Sequence, residues 1–343
     1  MKGTQLMRLT LEDIAKKAKV AKSTVSRALN KPELVSDNTR RHIIQVMRDL
    51  GYEPNNINQL SRRTGNLAFL IDGKGFSPQE LFYTKIFKGA EAQAKKDGYH
   101  FMLTITSSEE EATGFLDQGK VDGVIVAAQT TKAFFRRVVE LEYPAVFVDC
   151  NIVDKRMNRV EIDNFDGAFE AVNYLIGLGH RHIGFVGANM RHPSILHRFY
   201  GYREALLNSG IEPDPDIIVA DRELEATVET GMLLMKRMLE RTKNMPTAIF
   251  GANDHLAVGA IKAVRSSGMS VPDDISVIGF DDVDIAIHSE PPLTTMRIHK
   301  EEIGALAVVR LEELMSGRNV HPSRTVVCVN LVERESCVRC KNR

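Results

Sequence analysis

The chain has 343 residues, 43% of them hydrophobic and 26% charged, an ordinary globular composition with room for one or two full domains and a small module. No apolar run reaches about 18 residues, which excludes a membrane-spanning helix, and Met1 to Leu11 lacks the apolar core and cleavage site of a secretory signal, so a cytoplasmic location is expected. The formal net charge of zero hides an asymmetry: residues 1–66 carry thirteen Lys and Arg against six Asp and Glu, and a basic head on an acidic body directs the head toward a polyanion.

The first 55 residues hold three short helical patterns. Leu11, Ile14, Ala15 and Ala18 recur at helical spacing. After Lys19-Val20-Ala21 a second helix starts near Lys22, carries Val25, Ala28 and Leu29 on one face, and ends at Asn30-Lys31-Pro32. A third begins at the capping residues Ser36 or Asp37, runs through Ile43, Ile44, Met47 and Leu50, and stops at Gly51. Two short helices around a tight turn, the second polar at its N-terminus, form a helix-turn-helix. With its apolar residues packed on the other two helices, the second helix leaves Lys22, Ser23, Thr24, Ser26, Arg27 and Asn30 as candidate DNA contacts. Arg27 suits a guanine or a phosphate, and the hydroxyls suit either phosphates or bases. Spacing alone also allows a three-helix module that binds protein.

From Asn66 onward β-rich runs alternate with helical ones. Strands are expected at Leu67–Ile71, Phe101–Ile105, Val124–Ala127, Ala145–Val148, Ile183–Val186, Ala248–Phe250 and Ile275–Phe280, with amphipathic helices at Leu81–Lys96, Ala168–Leu178 and Leu256–Ser267. Such alternation makes parallel sheets covered by helices on both faces. About 270 residues exceed one such sheet, so the fold class is α/β with two similar lobes, and a ligand cleft is expected between them. Cys150 and Cys328 lie in apolar, strand-like contexts and are expected to be buried. Cys337 and Cys340 form a lone C-x-x-C, half of a structural zinc set and outside any βαβ context. There is no H-E-x-x-H, no G-x-S-x-G and no Walker lysine motif, so no catalytic residue, cofactor or metal is expected. Asp281 and Asp282, adjacent in a strand-to-loop turn, are expected to point apart.

Specific motifs go further. Leu11-Glu-Asp-Ile-Ala-Lys-Lys-Ala, Ser23-Thr-Val-Ser-Arg-Ala-Leu-Asn, Val35-Ser36, Thr39-Arg40 and Gly51-Tyr-Glu-Pro-Asn55 resemble the LacI/GalR family of bacterial regulators. The resemblance continues to about residue 336 through Phe82-Tyr83, Gly89, Val121-Asp-Gly123, Gly179-His-Arg-His-Ile-Gly184, Asn253-Asp254, Ile275 to Asp282 and Pro291-Pro-Leu-Thr-Thr295. It implies a helix-turn-helix domain over 1–55, a hinge over 56–66, a periplasmic-binding-protein-like effector and dimerisation body over 67–336, and a tail over 337–343. The first lobe is expected at about 67–162 and 296–322, the second at about 163–292 and 323–336, with three crossovers. Lys22 and Ser23 inherit the operator-reading role, Arg27 matches a base-contacting arginine, Asn55 opens the hinge, and Leu60 matches a leucine wedged into the minor groove. The hinge is one residue shorter than the common spacing, and Lys19 stands where the family's turn usually has glycine.

In the body, Arg198 matches the arginine that binds sugar hydroxyls, Asp281 the cleft aspartate and Asn253 the cleft amide. A guanidinium donates a pair of bonds and a carboxylate accepts a pair, which suits adjacent hydroxyls; the alternative is a structural ion pair. Phe82, Tyr83, Asp163, Ser194 and Arg222 complete the candidate effector set. Arg222, Ile298 and Lys300 depart from the family pattern, and two added cations suggest an acidic or phosphorylated sugar. The Tyr99–Val121 stretch is short for the family, so a truncated helix is expected there. The implied partners are a pseudo-palindromic double-stranded operator, a sugar or sugar-derivative effector and a second copy of the chain, with no membrane. A corepressor-activated regulator and a solute-binding protein are the rival readings.

Overall fold

The structure is a computed structural model, described here over residues 10–30, 35–50, 64–72, 81–128, 130–316 and 321–341. The chain forms two units, residues 1–63 and 64–343.

The first unit contains α1 (Leu11–Ala18), α2 (Lys22–Asn30) and α3 (Asp37–Asp49). Thr10 caps α1, accepting from the Asp13 amide while the Asp13 carboxylate accepts from the Thr10 backbone, so two otherwise orphan donors are satisfied reciprocally. Lys19 then takes the left-handed conformation, φ 54° and ψ 40°, which turns the chain sharply into α2. A glycine pays no Cβ penalty there and lysine does; the strain expected at this turn is thus seated at Lys19. Ile14, Ala15, Ala18, Val25, Ala28, Ile43, Val46 and Met47 form the core of the unit. Gly51, Asn55, Leu60 and the whole 56–63 hinge segment lie outside the described residues.

The second unit holds two six-stranded sheets. In chain order its elements are β1 (Asn66–Asp72), α4 (Leu81–Lys96), β2 (His100–Thr106), α5 (Glu109–Asp117), β3 (Gly123–Ala127), α6 (Lys132–Glu140), β4 (Ala145–Val148) and β5 (Arg159–Ile162). Then come α7 (Asn164–Gly177), β6 (Ile183–Gly187), α8 (Pro193–Asn208), β7 (Ile218–Ala220), α9 (Val228–Arg241), β8 (Ala248–Gly251), α10 (Asp254–Ser266) and β9 (Ser276–Asp281). The chain ends with α11 (Asp284–His288), β10 (Thr294–Arg297), α12 (Lys300–Met315), β11 (Arg324–Val327) and β12 (Asn330–Val332). The first sheet has the order β11-β5-β4-β3-β1-β2 and the second β12-β10-β9-β8-β6-β7, all parallel except β12 against β10.

The chain crosses between sheets three times, after β5, after β10 and after β11. This moves the expected lobe boundaries. Arg324–Val327, placed with the second lobe on sequence, pairs with Arg159–Ile162 in the first sheet. Met296 and Arg297, placed with the first lobe, pair with Phe280 and Asp281 in the second. Strand partners are chosen by long-range pairing, so a boundary between two lobes of like composition is invisible locally. The Tyr99–Val121 stretch, where a truncated helix is expected, holds the nine-residue α5. Cys150 is half-buried, but Cys328 is exposed, because it lies on the crossing segment after β11 rather than in a strand.

Close helix packing positions the functional side chains. A Cβ built on Gly201 of α8 would stand 2.2 Å from the Phe165 carbonyl of α7. Only glycine lets the two helices touch backbone to backbone there, three residues after Arg198.

Candidate functional site

In the first unit, the polar face of α2 stands outward as its spacing predicts. Lys22, Ser23 and Arg27 are exposed, Thr24 and Ser26 half-exposed, while Val25 and Ala28 are buried. Lys22 Nζ lies 3.5 Å from Glu12 Oε2, an exposed ion pair that competes little with a phosphate. Asn30 closes α2.

In the second unit, four non-glycine residues with positive φ sit just past or at the carboxyl ends of strands: Ala128 after β3, Asp149 after β4, and Asp281 and Asp282 at the end of β9. Strain of this kind costs about 1–3 kcal/mol per residue and concentrates at functional sites. Carboxyl ends are also where open α/β sheets bind ligands.

Arg198, on the second turn of α8, is 3% exposed. Its Nε donates to Asn164 Oδ1 at 2.7 Å and its Nη1 to the Ala252 carbonyl at 2.8 Å. Its guanidinium carbon lies 3.9 Å from the Phe280 ring centroid, and Nη2 lies 2.9 Å from Asp281 Oδ1. The last contact is an ion pair without an aligned N–H, and Asp281 Oδ1 is buried with no hydrogen-bond donor. Burial pushes the Asp281 carboxyl up, against the pull of Arg198 and Lys300. Beneath it Asp254 is raised to about 8, by burial first and then by the charge of Asp281, although it accepts from Thr295 Oγ1 at 2.5 Å and from the Val283 amide at 2.9 Å. Asp282 points away, as expected, and is held by Arg297 and Arg334, each at 2.6 Å.

Across from this pair, α4 supplies Phe82 and Tyr83. The Tyr83 hydroxyl donates to Asp149 Oδ2 at 3.0 Å, and Ser194 Oγ donates to Asp149 Oδ1. Asp149 therefore ties the first lobe to the start of α8 in the second. Sequence reasoning missed it, because a lone aspartate after a strand carries no local signal. Burial raises the Tyr83 hydroxyl well above its ordinary range. Lys300 Nζ donates to the carbonyls of Asp281 and Asp282 and sits 5.5 Å over the Phe82 ring. Lys85 and Asp284 add an ion pair of 2.9 Å between lobes.

The other candidates are placed differently. Asn253 caps α10, accepting from the Leu256 amide at 2.9 Å, with its amide nitrogen 3.4 Å from the Ala226 carbonyl. Asp163 caps α7. Arg222 stands exposed in the turn after β7, the edge strand of the second sheet. Ile298 is buried at 3% exposure. The cationic pair that suggested an acidic effector is thus dispersed: Lys300 is engaged by backbone carbonyls and Arg222 stands out in solvent. His180 is structural, joining Thr247 to the Val338 carbonyl, each at 3.0 Å.

A helix-turn-helix unit followed by a two-lobed α/β unit defines the class of ligand-responsive DNA-binding regulators. Residues 10–55 match the bacterial regulatory proteins of the lacI family, and residues 172–337 match the periplasmic binding protein-like domain. The chain belongs to the LacI family and is a DNA-binding transcriptional regulator. It is 32% identical to the HTH-type transcriptional repressor CytR of Escherichia coli K12, over 95% of this chain and 96% of that protein. It is 31% identical to the HTH-type transcriptional regulator CelR of Thermobifida fusca, over 96% and 98%. A solved CelR–cellobiose complex covers 96% of this chain and 100% of its own at TM-score 0.72 and 31% identity. The lac repressor dimer bound to operator and the anti-inducer ONPF covers 96% and 99% at TM-score 0.69 and 27% identity. Among the described residues no helix is long and apolar enough to cross a membrane.

Proposed function

We propose that this chain is a cytoplasmic, non-enzymatic repressor that binds a pseudo-palindromic operator as a homodimer and releases it when a sugar or sugar derivative binds between the lobes. The head is residues 1–55, the hinge 56–66 and the body 67–336. The observation that carries the effector reading is the Arg198–Asp281 pair, whose buried Asp281 Oδ1 lacks a donor. A guanidinium has five N–H groups; Asn164 and Ala252 engage two of those of Arg198, and the others remain for a ligand oxygen beside Asp281. A hydroxyl that accepts from Arg198 and donates to Asp281 satisfies both groups. The relative solved with cellobiose supports a neutral sugar as the effector, as does the engagement of Lys300 by carbonyls.

On α2, Lys22, Ser23, Thr24, Ser26, Arg27 and Asn30 contact the operator, with Asn55 and Leu60 following in the hinge. DNA and effector are coupled reciprocally through the lobes. Titration calorimetry with neutral sugars and sugar acids, paired with operator retardation, tests the reading. A neutral sugar should bind, Asp281→Asn should abolish that binding, and the bound sugar should release DNA whose retention falls steeply with salt. Absence of retardation of any genomic fragment at low salt would overturn it.

A further inference from the structure

We propose that the crevice between the β5–β11 edge of the first lobe and the start of α8 is a second ligand site, which takes a small oxyanion such as phosphate. A cavity of about 170 Å³ opens there, lined by Cys150, Arg159, Glu161 and Arg324 from the first lobe and by Ser194 and His197 from the second. Neither Arg198 nor Asp281 lines it. Asp149 and Ser194, bonded to each other, form its wall, and Asp149 carries Tyr83 on its other oxygen.

The hydrogen-bonding groups of the cavity are unbalanced. Both oxygens of Glu161 are taken, Oε1 by Arg159 and Oε2 by Arg324 at 2.6 Å. Both oxygens of Asp149 are taken by Tyr83 and Ser194. The two guanidiniums hold ten N–H groups between them, and Arg159 Nε is buried without an acceptor. His197, exposed at the mouth of the cavity, adds a ring nitrogen, and partial desolvation holds its pKa down. The site therefore has donors in excess and its carboxylate acceptors committed. A sugar hydroxyl would bring further donors with nowhere to go. An oxyanion such as phosphate brings several acceptor oxygens for each O–H it keeps, and planar guanidiniums suit those oxygens. Because the walls come from both lobes, an anion bound here favours the lobe arrangement of this structure and acts as a second input, sharing Ser194 alone with the candidate sugar set.

Calorimetric titration of the full chain with inorganic phosphate, at constant ionic strength in chloride, tests the site. Saturable binding is expected, weakened at least tenfold by Arg159→Gln and by Arg324→Gln, and unchanged by Asp281→Asn. Arg324 is half-exposed at the rim, so its variant keeps the test valid if Arg159→Gln fails to fold. A parallel titration with a sugar phosphate separates the sources of the anion. Binding no tighter than inorganic phosphate assigns the site to the free ion, and tighter binding with the same loss in Arg324→Gln assigns it to a phosphorylated metabolite. No saturable binding, or binding that Arg324→Gln leaves intact, overturns the proposal. So does an equal loss in Asp281→Asn, which would place the phosphate in the sugar cleft. Neutral-sugar binding lost in Asp281→Asn stands or falls apart from these results.

Discussion

Replacing Arg198 by methionine tests the energetics of the cleft most directly. Methionine keeps much of the packing on Phe280 but removes the cation beside Asp281, leaving Lys300 as the other nearby positive charge. Losing one partner of a buried ion pair costs about 3–5 kcal/mol. The carboxyl has an escape, however, since it can take up a proton. Protonating an acid of ordinary pKa 3.8 at pH 7 costs about 4 kcal/mol, at about 1.4 kcal/mol per unit, which caps the charge part of the penalty; the lost bonds to Asn164 and the Ala252 carbonyl add a part that does not vary with pH. The folded pKa of Asp281 lies above its unfolded value, so the folded state holds the extra proton between the two. Stability therefore falls as pH rises through that window, and the variant, with the folded pKa pushed higher still, falls further. Urea unfolding should show Arg198→Met destabilised by about 2–3 kcal/mol more at pH 7 than at pH 5. Adding Asp281→Asn should recover most of the loss at pH 7. A penalty independent of pH, or a double variant as unstable as the single one, would refute the buried-charge argument.

Lys19→Gly should stabilise the head by about 0.5–1 kcal/mol, read as a raised melting temperature of residues 1–55, because it removes left-handed strain at some cost in unfolded-state entropy. Arg27→Ala should weaken operator binding by about 1–3 kcal/mol and relax base preference if the side chain reads a base, and should weaken binding evenly across sequences with a flatter salt dependence if it meets a phosphate; titrations of several sequences at several salt concentrations tell these apart. Burial pushes the Asp282 carboxyl up, but bonds from Arg334 and Arg297 outweigh it and hold its pKa below the ordinary value. That stability is present above pH about 4 and is lost as pH falls through the depressed pKa. Arg334→Met should cost about 2–3 kcal/mol at pH 7 and leave acid unfolding beginning at a higher pH than in the parent chain.

Features set by near neighbours were legible in the amino-acid sequence. The outward face of α2 follows from Val25 and Ala28 at helical spacing. The parallel strands β1 to β4, β6, β8 and β9 follow from short apolar runs between amphipathic helices, and the strain at Lys19 follows from a missing glycine. Arg198 and Asp281 were found because each sits in a motif, and the structure brings them to 2.9 Å. What a side chain does once it is brought to a distant neighbour was not legible. Arg222 and Lys300 look alike as added cations, yet one is exposed and the other is closed over by the carbonyls of Asp281 and Asp282. The short strands β5, β7 and β10 to β12 are three or four residues long and declare themselves only through their partners.

The helix-turn-helix and the alternating α/β body were determined by the sequence alone, because periodicity, caps and turn residues act over a few positions and are written in order along the chain. Tertiary structure alone decided which lobe owns Arg324–Val327, that Asp149 joins Tyr83 to Ser194, and that Arg159, Arg324 and His197 share a cavity. Those juxtapositions span between about 40 and 170 residues of chain. They arise from sheet order and from the three crossovers, which bring residues together without leaving a local pattern at either end.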